Sequence, residues 1–121
     1  RVADKPLVTS MPAAARLRLD SFGPQDLSNF SWAISTLLGY DHGPLAADLA
    51  ASAAPKVSSM APMHIASFTW AMSTFSYFDV PLIAGLQSET LWRVTEFRAR
   101  DVAIVAWAYA VWELTSDAMA A

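Results

Sequence analysis

The chain has 121 residues, of which 55% are hydrophobic and only 16% are charged, and it carries a formal net charge of −3. This length suits one domain with a hydrophobic core, and the excess of apolar residues predicts surfaces that neighbouring repeats or partner subunits cover. The acidic balance excludes a general attraction to nucleic-acid phosphates, and the absence of cysteine excludes disulfides and thiolate metal sites.

Helices are the predicted elements along the whole chain, and prolines mark where most of them start. Proline is favoured in the first turn of a helix, where its missing N–H costs nothing. In chain order, these prolines are Pro6, Pro24, Pro44, Pro62 and Pro81. Pro12 falls inside the first predicted helix, and it predicts that this helix either starts late, with Ser10 as its cap, or is kinked.

An internal repeat organises these helices into pairs. Trp32-Ala33 returns as Trp70-Ala71 and as Trp107-Ala108, at separations of 38 and 37 residues, and a fixed period of this size is typical of helical repeat proteins. The pattern predicts an all-α fold, an α-solenoid of antiparallel pairs in which helix A carries the Trp-Ala motif and helix B follows it. The chain, 1–121, is then one helical-repeat segment that comprises the second helix of a partial repeat at 6–21, complete repeats at 22–59 and 60–96, and a partial repeat at 97–121.

Each predicted helix A has an apolar face with the spacing of a buried helix surface. This face consists of Leu27, Phe30, Ile34 and Leu37 in the first unit, Ile65, Phe68, Met72 and Phe75 in the second, and Val102, Val105, Tyr109 and Trp112 in the third. Trp32 lies about 140° around the helix from Leu27. We therefore expect the three repeated tryptophans to form a second buried face, packed against the next unit.

The residues 22–33, Phe-Gly-Pro-Gln-Asp-Leu-Ser-Asn-Phe-Ser-Trp-Ala, followed by Pro44-Leu45, resemble the octotricopeptide repeat family. They are also similar to the helical repeats that precede RAP domains in FAST-kinase-like organellar proteins. The resemblance covers almost the whole chain and is clearest in 22–82. It implies an α-solenoid that is nuclear-encoded and imported into a chloroplast or mitochondrion, where it binds organellar RNA or serves as an architectural part of an assembly.

Polar side chains of helix A are the candidate contacts to RNA or to a partner. In modular RNA-binding repeats such side chains read one base per repeat. The candidates are Gln25, Ser28 and Asn29, together with Arg100, which holds the position of Gln25 in the third unit. Most of the equivalent positions in the later units are apolar, so the capacity to read bases fades along the chain; the alternative is that these are ordinary solvated residues of a first helical turn.

Basic residues recur near the end of each helix B, as Arg18, Lys56 and Arg93. We call this series of cations the basic ladder. It would either follow a phosphate backbone or complement the negative end of each helix dipole. Four further aromatic residues, Tyr77, Phe78, Trp92 and Trp112, are candidates for a protein interface, because aromatic anchors dominate interface hot spots.

The sequence predicts no catalytic, cofactor or metal site. His42 and His64 have no second ligand at metal-binding spacing, and no nucleophile elbow, P-loop or dinucleotide-binding glycine pattern is present. The uncharged stretch 57–78 is predicted to be a buried repeat helix rather than a membrane span. The leading hypothesis is a non-catalytic subunit that binds other proteins of a large organellar complex; the alternative is a sequence-selective organellar RNA-binding protein.

Overall fold

The computed structural model describes residues 5–38 and 43–120, with side chains described for 10–37 and 43–114. Within these residues every regular element is helical, so the predicted all-α class is confirmed. The helices are α1 (Lys5–Arg16), α2 (Pro24–Leu38), α3 (Gly43–Ala53), α4 (Pro62–Thr74), α5 (Val80–Trp92) and α6 (Ala99–Ala120). No helix in the described ranges is both long and apolar enough to cross a membrane.

The helix starts follow the proline pattern. Pro24 and Pro62 are the first residues of α2 and α4, and Pro44 and Pro81 are the second residues of α3 and α5. The expectation of a late start for α1 at Ser10 is wrong, because α1 begins at Lys5 and continues through Pro12. Proline in an interior turn removes one N–H from the helix, and α1 tolerates this loss near its centre.

Two aspartates at equivalent repeat positions cap their helices. The Oδ2 atom of Asp26 accepts a hydrogen bond from the Gly23 backbone N–H at 3.1 Å, and Oδ2 of Asp101 accepts one from the Arg98 N–H at 3.4 Å. Each carboxylate also lies in the first turn, where it offsets the positive end of the helix dipole.

The core joins both kinds of helix: α2 packs on α4 and α4 packs on α6, and residues of α3 and α5 such as Leu49 and Leu86 belong to the same cluster. The predicted apolar face of α4 is fully confirmed, since Ile65, Phe68 and Met72 are 0% exposed and Phe75 is 3% exposed. The same face in α6 is partly wrong, because Val102 is 45% exposed. We attribute this exposure to the position of Val102 on α6, because no later helix of the described chain packs against α6.

A second face of α2 and α4 is made of small residues and is also buried. In α2 these residues are Ser28, Ser31 and Ser35, and their repeat equivalents in α4 are Ala66, Thr69 and Ser73. Small side chains allow the backbones of adjacent helices to approach closely, which fits the packing of α2 on α4 and of α4 on α6. The equivalent residues of α6, Ala103, Ala106 and Ala110, are all exposed.

A left-handed residue ends α4. Ser76 has φ of 55°, and the Tyr77 N–H donates to the Met72 carbonyl at 3.1 Å, which is the hydrogen bond of a Schellman motif. Glycine usually occupies this position because it has no Cβ to clash. The reversal turns the chain from α4 towards α5.

Candidate protein-binding groove

Two tryptophans line a groove on the surface of the fold. The rings of Trp32 in α2 and Trp70 in α4 lie with their centroids 6.2 Å apart and their planes tilted by 37°. Around them the groove is lined by Asn29, Ser67, Arg100 and Ile104, and it encloses about 270 Å³. Helices α2, α4 and α6 thus each contribute side chains to one surface.

The repeat explains why these residues meet. Asn29, Ser67 and Ile104 hold one repeat position, and Trp32 and Trp70 hold another that follows it by three residues. Residues three apart lie on the same side of a helix, so each tryptophan shares a face with the polar position before it. When α2, α4 and α6 pack side by side, these faces form a continuous strip.

The prediction that the repeated tryptophans form a buried face is wrong. Trp32 is 49% exposed, Trp107 is 63% exposed, and Trp70 is only half-buried. The spacing of Gln25, Asn29 and Trp32 could have revealed this, because steps of four and three residues place all three on one helix face. The face that packs against the next unit is instead the one with Ser28, Ser31 and Ser35.

The polar candidates of helix A divide between the surface and the core. Gln25, Asn29 and Arg100 are exposed, and Asn29 and Arg100 line the groove. Ser28 is only 1% exposed, and its hydroxyl is buried without a hydrogen-bond partner. The prediction of Ser28 as a contact residue is therefore wrong, because the close approach of α4 covers it.

The basic ladder connects the end of a repeat unit to the first residue of the same unit. The Lys56 ammonium donates to the Phe22 carbonyl at 2.8 Å, and Nη2 of Arg93 donates to the Met60 carbonyl at 2.7 Å. Phe22 and Met60 hold the same repeat position, so each cation binds the first residue of its own repeat unit. We call this contact the cation latch. Arg18, the first member of the ladder, follows α1, is exposed, and donates to the Ala14 carbonyl of α1 at 3.2 Å.

The sequence analysis did not predict the cation latch, although the repeat spacing of the basic residues indicates it. The three basic residues recur with the same 38- and 37-residue separations as the tryptophans, which is unexpected for freely solvated cations. Arg93 also forms an ion pair with Glu89 at 3.0 Å, and only 16% of the Arg93 side-chain surface is exposed. This degree of burial leaves Arg93 poorly placed to meet a phosphate backbone.

The four candidate interface aromatics do not lie together on the surface. Trp92 is 84% exposed at the end of α5, whereas Tyr77 and Phe78 are half-buried. Trp112 is 4% exposed, which confirms its place on the predicted apolar face of the helix and contradicts its selection as an interface aromatic; its indole N–H donates to the Tyr77 carbonyl at 3.0 Å. Within the chain, Trp112 therefore packs α6 against the turn that follows α4.

Tyr109 lies beside Trp112, with the ring centroids 5.2 Å apart in an edge-to-face arrangement. Burial raises the pKa of Tyr109 to about 12. Burial and, secondarily, the negative charge of Asp79 also raise the pKa of Tyr77. Both phenols are consequently neutral at physiological pH, and they supply apolar ring surface and hydrogen-bond donors rather than charge.

The described side chains form no cluster of metal ligands. No three His, Cys, Asp or Glu side chains converge there as ligands of a metal ion. His64 is half-buried near the start of α4, while His42 lies outside the described residues. In comparisons with known proteins, no family model, no curated protein and no solved structure matches the chain.

Proposed function

We propose that this chain is a non-catalytic helical-repeat module that binds another protein through the tryptophan groove, as a subunit of a larger organellar assembly. The half-exposed pair of Trp32 and Trp70 is the observation that supports this proposal. Tryptophan is enriched at the energetic centres of protein interfaces because it buries a large apolar area and loses few rotational degrees of freedom. The α-solenoid arrangement and the organellar location are part of the proposal and rest on the repeat and on the family resemblance.

Charge favours a protein over RNA as the partner. All three ladder cations already donate to backbone carbonyls, Arg18 to that of Ala14, Lys56 to that of Phe22 and Arg93 to that of Met60. Among the described residues that line the groove, Arg100 is the one with a charged side chain, and the chain has a formal net charge of −3. Binding of nucleic acids depends mainly on several phosphate contacts from lysine and arginine, and this surface offers few.

The groove also contains residues that support the alternative function, which is RNA binding. Asn29 and Arg100 lie beside the tryptophan pair, and amide and guanidinium groups read base edges while aromatic rings stack on bases. Sequence-selective binding of organellar RNA is therefore the second candidate, and the experiment below separates the two.

Photo-crosslinking from the groove tests the proposal. A photoreactive amino acid replaces Asn29 in one variant and Ser88, an exposed residue of α5, in a control. In an organellar extract we expect position 29, and not position 88, to yield discrete protein adducts that survive ribonuclease treatment. The substitution Trp32→Ser should abolish these adducts, whereas Trp92→Ser, which removes a more exposed tryptophan, should not.

Two other outcomes of these experiments would contradict the proposal. Loss of the adducts in Trp92→Ser but not in Trp32→Ser would move the binding surface from the groove to the end of α5. An RNA titration across a salt series addresses the alternative function directly. Submicromolar affinity that falls steeply with salt, together with adducts that ribonuclease removes, would replace protein binding with RNA binding.

A further inference from the structure

The two outer helices of the array, α2 and α6, present complementary surfaces that no other described helix fully covers. We infer that these surfaces bind each other between copies of the chain, so that α6 of one copy packs on α2 of the next in a head-to-tail arrangement. This inference concerns the ends of the array rather than the groove, and it stands apart from the proposed function.

The exposed surface of α6 is defined by Ala103, Ala106, Trp107, Ala110 and Leu114, and we call it the tail face. Two large apolar side chains belong to it, Trp107 at 63% exposure and Leu114 at 71%. The three alanines hold the repeat positions that are buried in α2 and α4. Since those positions lie where one helix packs on the next, the tail face is the same packing surface without its partner.

The opposite surface of α2 is defined by Phe30 and Ala33, and we call it the head face. Their repeat equivalents are fully or almost fully buried, as Phe68 and Ala71 in α4 and as Val105 and Ala108 in α6. In α2 both residues are only half-buried. The head face thus carries the residues that, in α4 and α6, pack against the preceding helix.

The cation latch provides an independent match between the two ends. Lys56 and Arg93 each bind the carbonyl at the repeat position of Phe22 and Met60. The next acceptor in this series is the Phe97 carbonyl of the tail, and the matching cation is the exposed Arg18 of the head. In a head-to-tail contact, Arg18 of one copy would meet Phe97 of another at the spacing that the two internal latches use.

A second copy is the occupant that explains both ends together. The tail face requires a helix with the pattern of α4 or α6, and the head face of the same chain carries that pattern. The contact would also place Trp107 beside Trp32 of the next copy and so continue the tryptophan strip, as Trp32 and Trp70 do within the chain. Because the two surfaces differ, the interface is heterologous and forms open chains rather than closed dimers.

Sedimentation of the 121-residue chain over a concentration series tests this inference. We expect the average mass to rise continuously with concentration, without a limit at the dimer. Ala106→Glu blocks the tail face at an exposed helical site where glutamate is well tolerated. It should leave only monomer, whereas Ala84→Glu, the same change at an exposed site of α5, should associate like the wild type.

Mixing two blocked variants gives the decisive result. Ala33→Arg blocks the head face, and Arg18→Glu, at an exposed site, serves the same purpose if Ala33→Arg does not fold, as circular dichroism would reveal. Each blocked variant alone should be monomeric, while a mixture of one head-blocked and one tail-blocked variant should form a 1:1 dimer through the two intact faces. A monomeric wild type at every concentration, or a dimer formed by a single blocked variant, would overturn the inference.

Discussion

The cation latch makes a quantitative prediction for Arg93. Replacement by methionine keeps most of the apolar stem but removes every hydrogen-bond donor. The lost bond to the Met60 carbonyl, 2.7 Å long and made by a charged donor, contributes roughly 1.5–3 kcal/mol. The contact with Glu89 adds less than about 1 kcal/mol, because Nε of Arg93 makes no aligned hydrogen bond in this ion pair.

We therefore expect Arg93→Met to lower the free energy of unfolding by about 2–3 kcal/mol. For a chain of this size the Tm should fall by roughly 8–12 °C. Urea denaturation followed by circular dichroism measures the change in free energy, and a double-mutant cycle with Glu89→Gln separates the ion pair from the carbonyl bond.

The matched control is Arg18→Met, which changes the same repeat position at a residue whose described bond is a local one to the Ala14 carbonyl. Arg18 is exposed, so this change should cost less than about 0.5 kcal/mol at concentrations where the chain is monomeric. Equal losses for Arg93→Met and Arg18→Met would refute the reasoning, because the bond to the Met60 carbonyl would then contribute nothing measurable.

Four other positions give separate tests of burial, ionisation and backbone conformation. Phe68→Ala should lower the free energy of unfolding in urea denaturation by about 3–5 kcal/mol, because Phe68 is 0% exposed. Trp107→Ala should lower it by less than about 2 kcal/mol, because Trp107 is 63% exposed. Similar losses in the two variants would contradict the difference in burial between these residues. The pKa of Tyr109 is about 12, against 10.0 for a free tyrosine, so the stabilisation by its neutral form is complete below pH 10 and is lost as the pH rises towards 12. Denaturation at alkaline pH should show this decline in the wild type and a weaker one in Tyr109→Phe, and identical profiles would exclude Tyr109 as its source. Ser76→Gly should raise the free energy of unfolding by about 0.5–1 kcal/mol, since glycine accepts a φ of 55° without strain, and a loss of stability would show that the serine side chain contributes there.

The sequence by itself determined the local features of this protein. Pro24 and Pro62 mark helix starts because proline has no N–H to leave unpaired, and that property depends only on the residue and its neighbours. The apolar spacing of Ile65, Phe68 and Met72 identified the buried face of α4, because α4 lies between α2 and α6 and is covered on both sides.

Only the tertiary structure decided which other faces are covered. Trp32 was expected to be buried but lies in the groove, since periodicity identifies residues that share a helix face but not the direction from which the next helix approaches. The cation latch depends likewise on the approach of Arg93 to a carbonyl 33 residues earlier. Distances of this kind arise from the packing of segments that are far apart in the sequence, whereas the repeat fixes only which positions are equivalent.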